Sequence, residues 1–380
     1  MKHQAKLPEF GTTIFTVISR YAQERGAINL AQGFPDFDCS PALVELARHY
    51  LTKGLNQYAP MPGVPVLRQA IAQKIKKNYD RAVDFNHEIT ITVGATEAIS
   101  STVTTFIFPG DEVLIFEPAY DSYRPDILMN GGVPVAISLR SPDYQVDWNQ
   151  VERAITNRTK MIMINNPHNP TGQVWAEQDM LQLQALAEKY DLLVLADEAY
   201  EHLVFKGREH QSVLRYPQLF KRSLVAFSFG KTYHITGWRV GYIVAPPELT
   251  QAFRKVHQFN VFSINTAVQH ALADFMQDDT ETSQLAEFFY AKYQLLLSYL
   301  SRSRFAAIPS FGTYFLLADY SSISSLPDEA FVYHLIDNYG RATIPLSAFY
   351  AQGSPDLLIR FCFGKKDESI HAAGRVIEKL

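Results

Sequence analysis

The feature of this sequence that most restricts its fold is a regular alternation of short apolar runs with helix-like segments between residues 89 and 245. Runs of five to seven residues, mostly Val, Ile, Leu and Phe, lie at 89–93, 112–116, 133–139, 160–164, 192–196, 224–228 and 241–245. Segments such as 176–189 have apolar residues three and four positions apart, which is typical of a helix covering a sheet. The alternation predicts an α/β fold with a mostly parallel, seven-stranded sheet covered by helices, and sites in such sheets lie beyond the carboxyl ends of strands.

The last third of the chain has a different pattern. Residues 285–300 predict a long amphipathic helix, and residues 313–319, 342–345 and 357–363 predict short strands separated by helices. We therefore expect three parts. Residues 1–42 form an N-terminal segment that packs with a small domain, residues 43–274 form a large domain, and residues 275–380 form the smaller α/β C-terminal domain.

Composition narrows the class of protein. The formal net charge is −4, which gives no basic footprint for nucleic acid. No apolar run approaches the roughly 18 residues of a transmembrane helix, and the first residues lack the apolar core of a signal peptide. The two cysteines, Cys39 and Cys362, are too few for a disulfide framework or a cysteine zinc site. We expect a cytoplasmic protein with no membrane or nucleic-acid partner, and both cysteines reduced and inert.

Several common motifs are absent or incomplete. Gly230-Lys231-Thr232 resembles the end of a phosphate-binding loop of nucleotide triphosphatases, but that loop needs a glycine at the position of Val225. The dinucleotide-binding, zinc-peptidase and nucleophile-elbow motifs do not occur. Four histidines lack metal-ligand spacing and are interpreted as structural: His168, His202, His234 and His257. We expect no metal site.

Polar residues follow several of the predicted strands in a fixed order. The motifs are Asn166-Pro-His-Asn169-Pro-Thr-Gly172, Asp197-Glu-Ala-Tyr200, Ser228-Phe-Gly-Lys231 and Arg239. Taken alone, each has an ordinary explanation: Lys231 as a solvated loop residue, Asp197 as a cap and Tyr200 as core packing. Together, their order and spacing resemble the class I aminotransferases, pyridoxal-phosphate enzymes of fold type I. The resemblance extends from Gln32 to Phe361.

The closer resemblance is to the methionine and kynurenine–glutamine aminotransferase branch of that family. It rests on the segments Gln32-Gly-Phe-Pro-Asp-Phe37, Asn56-Gln-Tyr58, Glu117-Pro-Ala-Tyr-Asp-Ser-Tyr123 and Ile344-Pro-Leu-Ser347. The resemblance implies an aminotransferase that uses pyridoxal 5'-phosphate and moves an amino group between an amino acid and a 2-oxo acid in two half-reactions.

The resemblance also implies roles for residues around the cofactor ring. Lys231 would form the resting Schiff base and then move the proton, and both burial and neighbouring cations would lower its pKa. Asp197 would keep the pyridine nitrogen protonated. Tyr200 and Asn169 would donate hydrogen bonds to the phenolic oxygen. The ring would lie between two further residues, Tyr120 and Ala199.

The cofactor phosphate needs N–H donors and cations. Gly94, Ala95 and Thr96 join a strand to a predicted helix, so their amides would meet the phosphate at a positive helix end. Ser228 would add a hydroxyl group and Arg239 a guanidinium. In the resembling family, the residue at Tyr58 reaches the phosphate from the other subunit, which implies a homodimer with a shared active site.

The substrate carboxylate needs a second guanidinium. Arg360 lies in an apolar strand, where an arginine is costly unless it is paired, and its motif position implies this role. The Asn169 amide and the Gly33 backbone would complete the carboxylate site. An acidic substrate side chain would need a basic partner, and residues 258–263 contain none. We expect the substrate side chain to meet an aromatic wall instead, formed by Phe15, Tyr58, Tyr123 and Phe262. The expected amino donors are therefore neutral and apolar or aromatic: methionine, phenylalanine, tyrosine, glutamine or kynurenine.

Two alternatives remain at this stage. A C–S β-lyase, acting on cystathionine or a cysteine conjugate, would need the same lysine and carboxylate. A pyridoxal-phosphate-binding transcription regulator would need an added winged-helix segment, and only 31 residues precede Gln32. Outside the site, a helix with four basic residues is expected to present them all to solvent: Arg68, Lys74, Lys76 and Lys77.

Overall fold

The computed structural model describes residues 6–354 and 356–380, so the first five residues of the predicted N-terminal segment lie outside the described part. The strands are β1 (Ile28–Asn29), β2 (Ile89–Thr92), β3 (Glu112–Glu117), β4 (Val133–Ser138), β5 (Thr159–Asn165), β6 (Leu193–Asp197), β7 (Ser223–Ser228), β8 (Gly241–Val244), β9 (Ala306–Ala307), β10 (Phe315–Asp319), β11 (Arg341–Ala342), β12 (Ile344–Pro345) and β13 (Leu358–Cys362).

Helices cover the sheets and connect the strands. They are α1 (Ile14–Glu24), α2 (Pro41–Thr52), α3 (Pro65–Tyr79), α4 (Gly94–Phe106), α5 (Tyr123–Met129), α6 (Trp148–Ala154), α7 (Glu177–Lys189), α8 (Pro217–Phe220), α9 (Phe229–Thr232), α10 (Pro247–Asn260), α11 (Thr266–Phe275), α12 (Thr280–Leu300), α13 (Asp328–Tyr339) and α14 (Asp367–Ile377). In the part of the chain that the structure describes, no helix combines the length and apolarity needed to cross a membrane.

A seven-stranded sheet in the order β2-β8-β7-β6-β5-β3-β4 forms the centre of the fold. Every pairing is parallel except those of β8, which runs antiparallel to both β2 and β7. The prediction of a mostly parallel, helix-covered sheet is confirmed, and each of the seven predicted runs supplies one strand. Successive strand residues point to opposite faces, so Leu195 packs in one core layer while Val194 and Ala196 pack in the other.

A second sheet, in the order β12-β13-β10-β9, is antiparallel throughout. A separate two-stranded pairing joins β1 to β11, with Ile28 opposite Arg341. Residues near the start of the chain therefore pair with residues near its end.

Two predicted strands differ in detail from the structure. Residues 342–345 do not form one strand, because β11 pairs with β1 while β12 pairs with β13, and the chain changes partner at Thr343. The predicted strand 313–319 begins only at Phe315, since Thr313 has a left-handed φ of +62° that interrupts the extended backbone.

The prediction of a fully solvated basic face on α3 is wrong for two of its four residues. Arg68 is buried and donates from Nε to the Gly63 carbonyl at 3.1 Å. The amine of Lys74 bonds to the carboxylate of Glu201 and, at 2.7 Å, to the hydroxyl of Tyr242. The hydrogen-bond partners of both side chains lie outside α3. Their burial therefore depends on these tertiary contacts and not on the charges along the helix. Lys76 and Lys77 are exposed, as expected.

Candidate active site

The predicted polar residues converge where three neighbouring parallel strands end. Asp197 is the last residue of β6 and lies opposite Asn165 at the end of β5. The side-chain oxygen of Asn165 accepts a hydrogen bond from the Asn169 amide at 2.7 Å and so positions the loop after β5. Lys231 lies in α9, directly after β7. Parallel pairing of β5, β6 and β7 therefore brings an amide, a carboxylate and an amine to one edge of the sheet.

Both oxygens of the buried Asp197 carboxylate are held. The hydroxyl of Tyr123 donates to Oδ2 at 2.7 Å, and the Ala199 amide donates to Oδ1 at 3.1 Å. Burial raises the pKa of Asp197, and the bonds from Tyr123 and Ala199 and the charge of Lys231 act against that rise. Tyr123 is itself buried in one of the two core layers, with its hydroxyl on this carboxylate. The place predicted for Tyr123 in the aromatic wall stays a prediction, and in the structure its hydroxyl holds Asp197.

The Lys231 amine lies among groups that favour its neutral form. Its Nζ donates to the Gly33 carbonyl at 3.1 Å and lies 5.7 Å from the ring centre of Tyr200. The pKa of Lys231 is lowered to about 8, mainly by burial and also by the charges of Arg360 and Arg239, while Cys362 and Asp197 oppose the change. A lysine with this pKa is partly neutral near physiological pH, as a nucleophile or base requires.

Arg360 is the most deeply buried cation near Lys231. It lies in β13, only 1% exposed, and donates from Nη1 to Asn169 Oδ1 at 2.8 Å and from Nη2 to the Ala31 carbonyl at 3.1 Å. Its Nε is buried without any hydrogen-bond partner, and among the described residues no carboxylate lies within 4 Å of the guanidinium. Burial lowers the pKa of Arg360. Such a group is suited to bind a carboxylate from outside the chain.

Aromatic rings enclose this guanidinium. Its central carbon lies 3.9 Å from the ring centre of Phe315, 4.9 Å from that of Phe349 and 5.3 Å from that of Phe15. Gly33 leaves room here, since a Cβ at that position would lie 3.1 Å from the Phe315 ring. Phe15 and Gly33 thus lie beside Arg360, while the roles predicted for the Gly33 backbone in the carboxylate site and for Phe15 in the aromatic wall stay predictions. Phe315 and Phe349 were not anticipated, because their contacts depend on strand register and on a distant loop.

A second cluster surrounds the first turn of α4. Gly94 has a left-handed φ of +69°, and a Cβ there would lie 3.0 Å from Nη2 of Arg239. The same Nη2 lies 3.5 Å from Thr96 Oγ1. Ser228 is opposite Gly241 in the β7–β8 pairing, next to Gly94. Helix N–H groups without intrahelical partners and a guanidinium thus face one space, which suits an anion.

A comparison of this sequence with models of known protein families shows which family the chain belongs to. The family model "Aminotransferase class I and II" matches residues 25–377, nearly the whole chain. This chain is a class I and II aminotransferase. The family resemblance inferred from the motifs is confirmed.

Similar proteins match the aminotransferase over its full length. A methionine aminotransferase of Escherichia coli (strain K12) is 45% identical over 99% of this chain and 98% of its own. A kynurenine–oxoglutarate transaminase of Dictyostelium discoideum is 30% identical over 100% of this chain and 96% of its own. A crystal structure of an Escherichia coli methionine aminotransferase superimposes with a TM-score of 0.98 at 45% identity, covering 100% of both chains.

The other predicted ring contacts of the aminotransferase lie near Lys231 and Asp197. Tyr200 is buried, with its ring edge against Tyr314 at a centroid distance of 5.3 Å, and burial raises its pKa. Tyr120 lies 5.7 Å from the Tyr123 ring, and Ala199 is buried beside Asp197. Tyr314 was not anticipated from the sequence. It donates to the Gly33 carbonyl at 2.7 Å, the same oxygen that Lys231 contacts.

Tyr58 and Phe262 are not part of this cluster within one chain of the aminotransferase. They contact each other edge to face at 5.0 Å, and Tyr58 is 81% exposed. Their neighbour Phe259 is 85% exposed. The geometry of a single chain therefore leaves the roles predicted for Tyr58 and Phe262 untested.

The residues of the aminotransferase fit pyridoxal 5'-phosphate, the cofactor that its family implies. Three separate features match three parts of that molecule: an amine with a lowered pKa, a buried carboxylate with both oxygens fixed, and an anion cradle at the start of α4. The buried, partnerless Nε of Arg360 is left for a further anionic group.

Proposed function

We propose that this aminotransferase moves the amino group of a neutral apolar or aromatic amino acid, such as methionine, to a 2-oxo acid, with pyridoxal 5'-phosphate as cofactor. The observation that carries the proposal is that Lys231 and Asp197 lie at one edge of the large sheet, where Arg360 of the second sheet reaches them through its hydrogen bond to Asn169. The names of the similar proteins, methionine aminotransferase and kynurenine–oxoglutarate transaminase, support this substrate class.

Pyridoxal 5'-phosphate, when bound, supplies an aldehyde that accepts the amino group and a ring that withdraws electrons from the substrate's α-carbon. The chain would hold the phosphate with Gly94, Ala95, Thr96, Ser228 and Arg239. Asp197 would hold the ring nitrogen, because Tyr123 and the Ala199 amide keep its carboxylate in one orientation. Tyr200 and the Nδ2 of Asn169 would hold the phenolic oxygen, since Asn169 Oδ1 is already occupied by Arg360.

Lys231 acts as the base of the reaction. With a pKa of about 8, its Nζ is available in the neutral form and accepts the proton of the substrate's α-carbon. The Gly33 carbonyl, 3.1 Å away, orients the amine. The surrounding Tyr200 and Tyr314 rings keep water away from the proton in transfer.

Arg360 binds the α-carboxylate of the substrate. We assign the substrate side chain to a cavity of about 480 Å³ lined by Tyr120 and by Phe349, whose ring centre lies 4.9 Å from the Arg360 guanidinium carbon. Three carboxyl groups and a single guanidinium line this cavity, those of Glu9, Glu117, Asp121 and Arg124. An acidic side chain would therefore be repelled, which favours neutral donors over aspartate.

We also propose a cytoplasmic homodimer in which each subunit's Tyr58 reaches the partner's phosphate site. The support is the exposed aromatic group of Tyr58, Phe259 and Phe262, since such a patch marks an interaction surface. The two sheets support the proposed division into large and small domains, residues 43–274 and 275–380. Analytical ultracentrifugation tests the dimer: we expect twice the chain mass, and a monomer at micromolar concentration would contradict it.

A donor panel tests the proposed function. The purified protein, supplied with pyridoxal 5'-phosphate and one 2-oxo acid, should use methionine and phenylalanine well and aspartate poorly. Lys231→Ala should lose transamination while the exposed-site control Lys221→Ala keeps it. Faster turnover with aspartate than with methionine would contradict the substrate class. Pyruvate and ammonia released from a cysteine conjugate without any oxo acid would instead establish the β-lyase activity.

A further inference from the structure

Glu97 is a charged residue in the first turns of α4 that the proposed mechanism does not use. It follows Thr96 directly, and its carboxylate reaches back to the amide of Val93, the residue just before the cradle for the cofactor phosphate. Three donors meet it: the Val93 amide at 3.2 Å from Oε2, the Ser101 hydroxyl at 2.5 Å from Oε1, and Nδ1 of His257 at 3.0 Å from Oε1. A carboxylate beside a bound dianion would be repelled by it, and these donors disperse its charge.

Among the described residues, His257 is the one outside α4 and its cap that donates a hydrogen bond to this carboxylate. It lies on α10, fully buried, with its ring stacked on Phe253 at 5.7 Å. Since a carboxylate only accepts, Nδ1 of His257 donates in this contact. Its other ring nitrogen, Nε2, is buried without a partner. Burying Nε2 without a hydrogen-bond partner destabilises the folded protein, so the hydrogen bond from Nδ1 to Glu97 is expected to have a role.

A second contact from α10 supports the same turn. Asn260 Nδ2 donates to Ser101 Oγ at 3.3 Å, and Ser101 donates in turn to Glu97. Glu97 then accepts from Val93, the residue that caps α4 and has no side-chain cap of its own. Because Glu97 satisfies the amide of Val93, the next three amides, of residues 94–96, remain directed at the phosphate site.

We propose that His257 and Glu97 form a positioning pair that fixes the first turn of α4 as a phosphate cradle. The inference rests on the proposed use of pyridoxal 5'-phosphate and extends it to two residues that do not touch the cofactor. Loss of the His257 contact leaves the Glu97 charge less well paired beside the phosphate. The pair therefore determines how strongly the protein distinguishes a phosphorylated from an unphosphorylated cofactor.

The test compares dissociation constants for pyridoxal 5'-phosphate and pyridoxal in the full-length protein with Lys231 intact. The ratio of the two constants isolates the phosphate contribution, because both compounds share the ring and the aldehyde. We expect His257→Leu to reduce the preference for the phosphorylated form about tenfold, the size expected for a lost hydrogen bond to a charged group. His257→Asn keeps an N–H donor near the position of Nδ1, so this variant should restore most of the preference for the phosphorylated form.

Phe331→Leu is the stability control, since Phe331 is buried in α13 and stacked on Tyr320 away from α4. It should lower the melting temperature without changing the ratio. The proposed pair would be contradicted if the ratio of the two dissociation constants were unchanged in His257→Leu. It would also be contradicted if His257→Asn failed to restore that ratio. If His257→Leu does not fold, Glu97→Gln tests the pair with the opposite sign: it removes the charge beside the phosphate, so the preference for the phosphorylated form should rise, and an unchanged ratio would overturn the pair. A wild-type protein that binds neither compound would refute the proposed function itself.

Discussion

Burial sets the protonation of the residues that matter most in this site. The pKa of Lys231 falls to about 8, that of Asp197 rises, and that of Arg360 falls, in each case because burial penalises the charged form. The charges near Lys231 act on its amine in opposite directions, since Asp197 raises its pKa whereas Arg360 and Arg239 lower it. An amine held in this way exchanges protons close to neutral pH.

The first prediction concerns the pH dependence of that amine. The rate at which the cofactor-free protein combines with pyridoxal 5'-phosphate should rise with pH and level off above about pH 8, because the neutral form of Lys231 is the nucleophile. Stopped-flow absorbance over pH 6–10.5 measures it. A midpoint near the ordinary lysine pKa of about 10.4 would show that Lys231 is not perturbed.

The second prediction concerns the hydroxyl that holds Asp197. Tyr123→Phe removes the donor to Oδ2, which should raise the pKa of Asp197 further and lower kcat about tenfold, as expected for a lost hydrogen bond to a charged group. Steady-state kinetics with methionine measures the change. Tyr216→Phe, which removes a hydroxyl bonded only to Gln211, serves as the control. Equal kcat in both variants would contradict the positioning role of Tyr123.

Short motifs allow Asp197 and Lys231 to be placed at the ends of strands and Arg360 within a strand. The sequence did not allow Tyr123 and Lys74 to be placed, since their partners are remote in sequence. Tyr123 contacts a carboxylate 74 residues away, and Lys74 one 127 residues away. Local composition near Lys74 resembles a solvated helix face, and only the packing of α3 against the sheet reverses that interpretation.

At the scale of elements, the start of α4 is the segment on which phosphate binding depends. The third prediction compares two glycines with left-handed φ, Gly94 at +69° and Gly110 at +90°. An added methyl group strains both by about 1–3 kcal/mol, but only at Gly94 does it meet a neighbour, Arg239 Nη2 at 3.0 Å. Gly94→Ala should weaken pyridoxal 5'-phosphate binding, and Gly110→Ala should only lower the melting temperature. Fluorescence titration and thermal melts separate the two effects, and equal affinities would contradict the cradle.

Some strands can be recognised from the sequence pattern and others cannot. Strands of the large sheet are apolar on both faces, as in β6, so a continuous run is enough to recognise them. The break between β11 and β12 has no such signal, because it depends on which distant strand each dipeptide meets. Ile344 pairs with Arg360 whereas Arg341 pairs with Ile28.

For the whole molecule, a buried ion pair joins α3 to the chain after β6. Burial raises the pKa of Glu201, but Lys74 and His202 outweigh it and lower that pKa to about 2. The fourth prediction is that Lys74→Met destabilises the protein by about 3–5 kcal/mol, because the Glu201 charge is left buried without its partner. Lys76→Met, at an exposed ion pair, should change the stability by less than about 1 kcal/mol. Urea denaturation measures the free energy of unfolding of both variants. Equal values for Lys74→Met and Lys76→Met would contradict a stabilising role of the buried pair.

The central claim is that Lys231 is the amine that joins the cofactor. Borohydride treatment of the protein with pyridoxal 5'-phosphate, followed by digestion and peptide mass spectrometry, tests it most directly. We expect one reduced adduct per chain, on the peptide that contains Lys231. An adduct on Lys74 or Lys365, or no adduct under saturating cofactor, would contradict it.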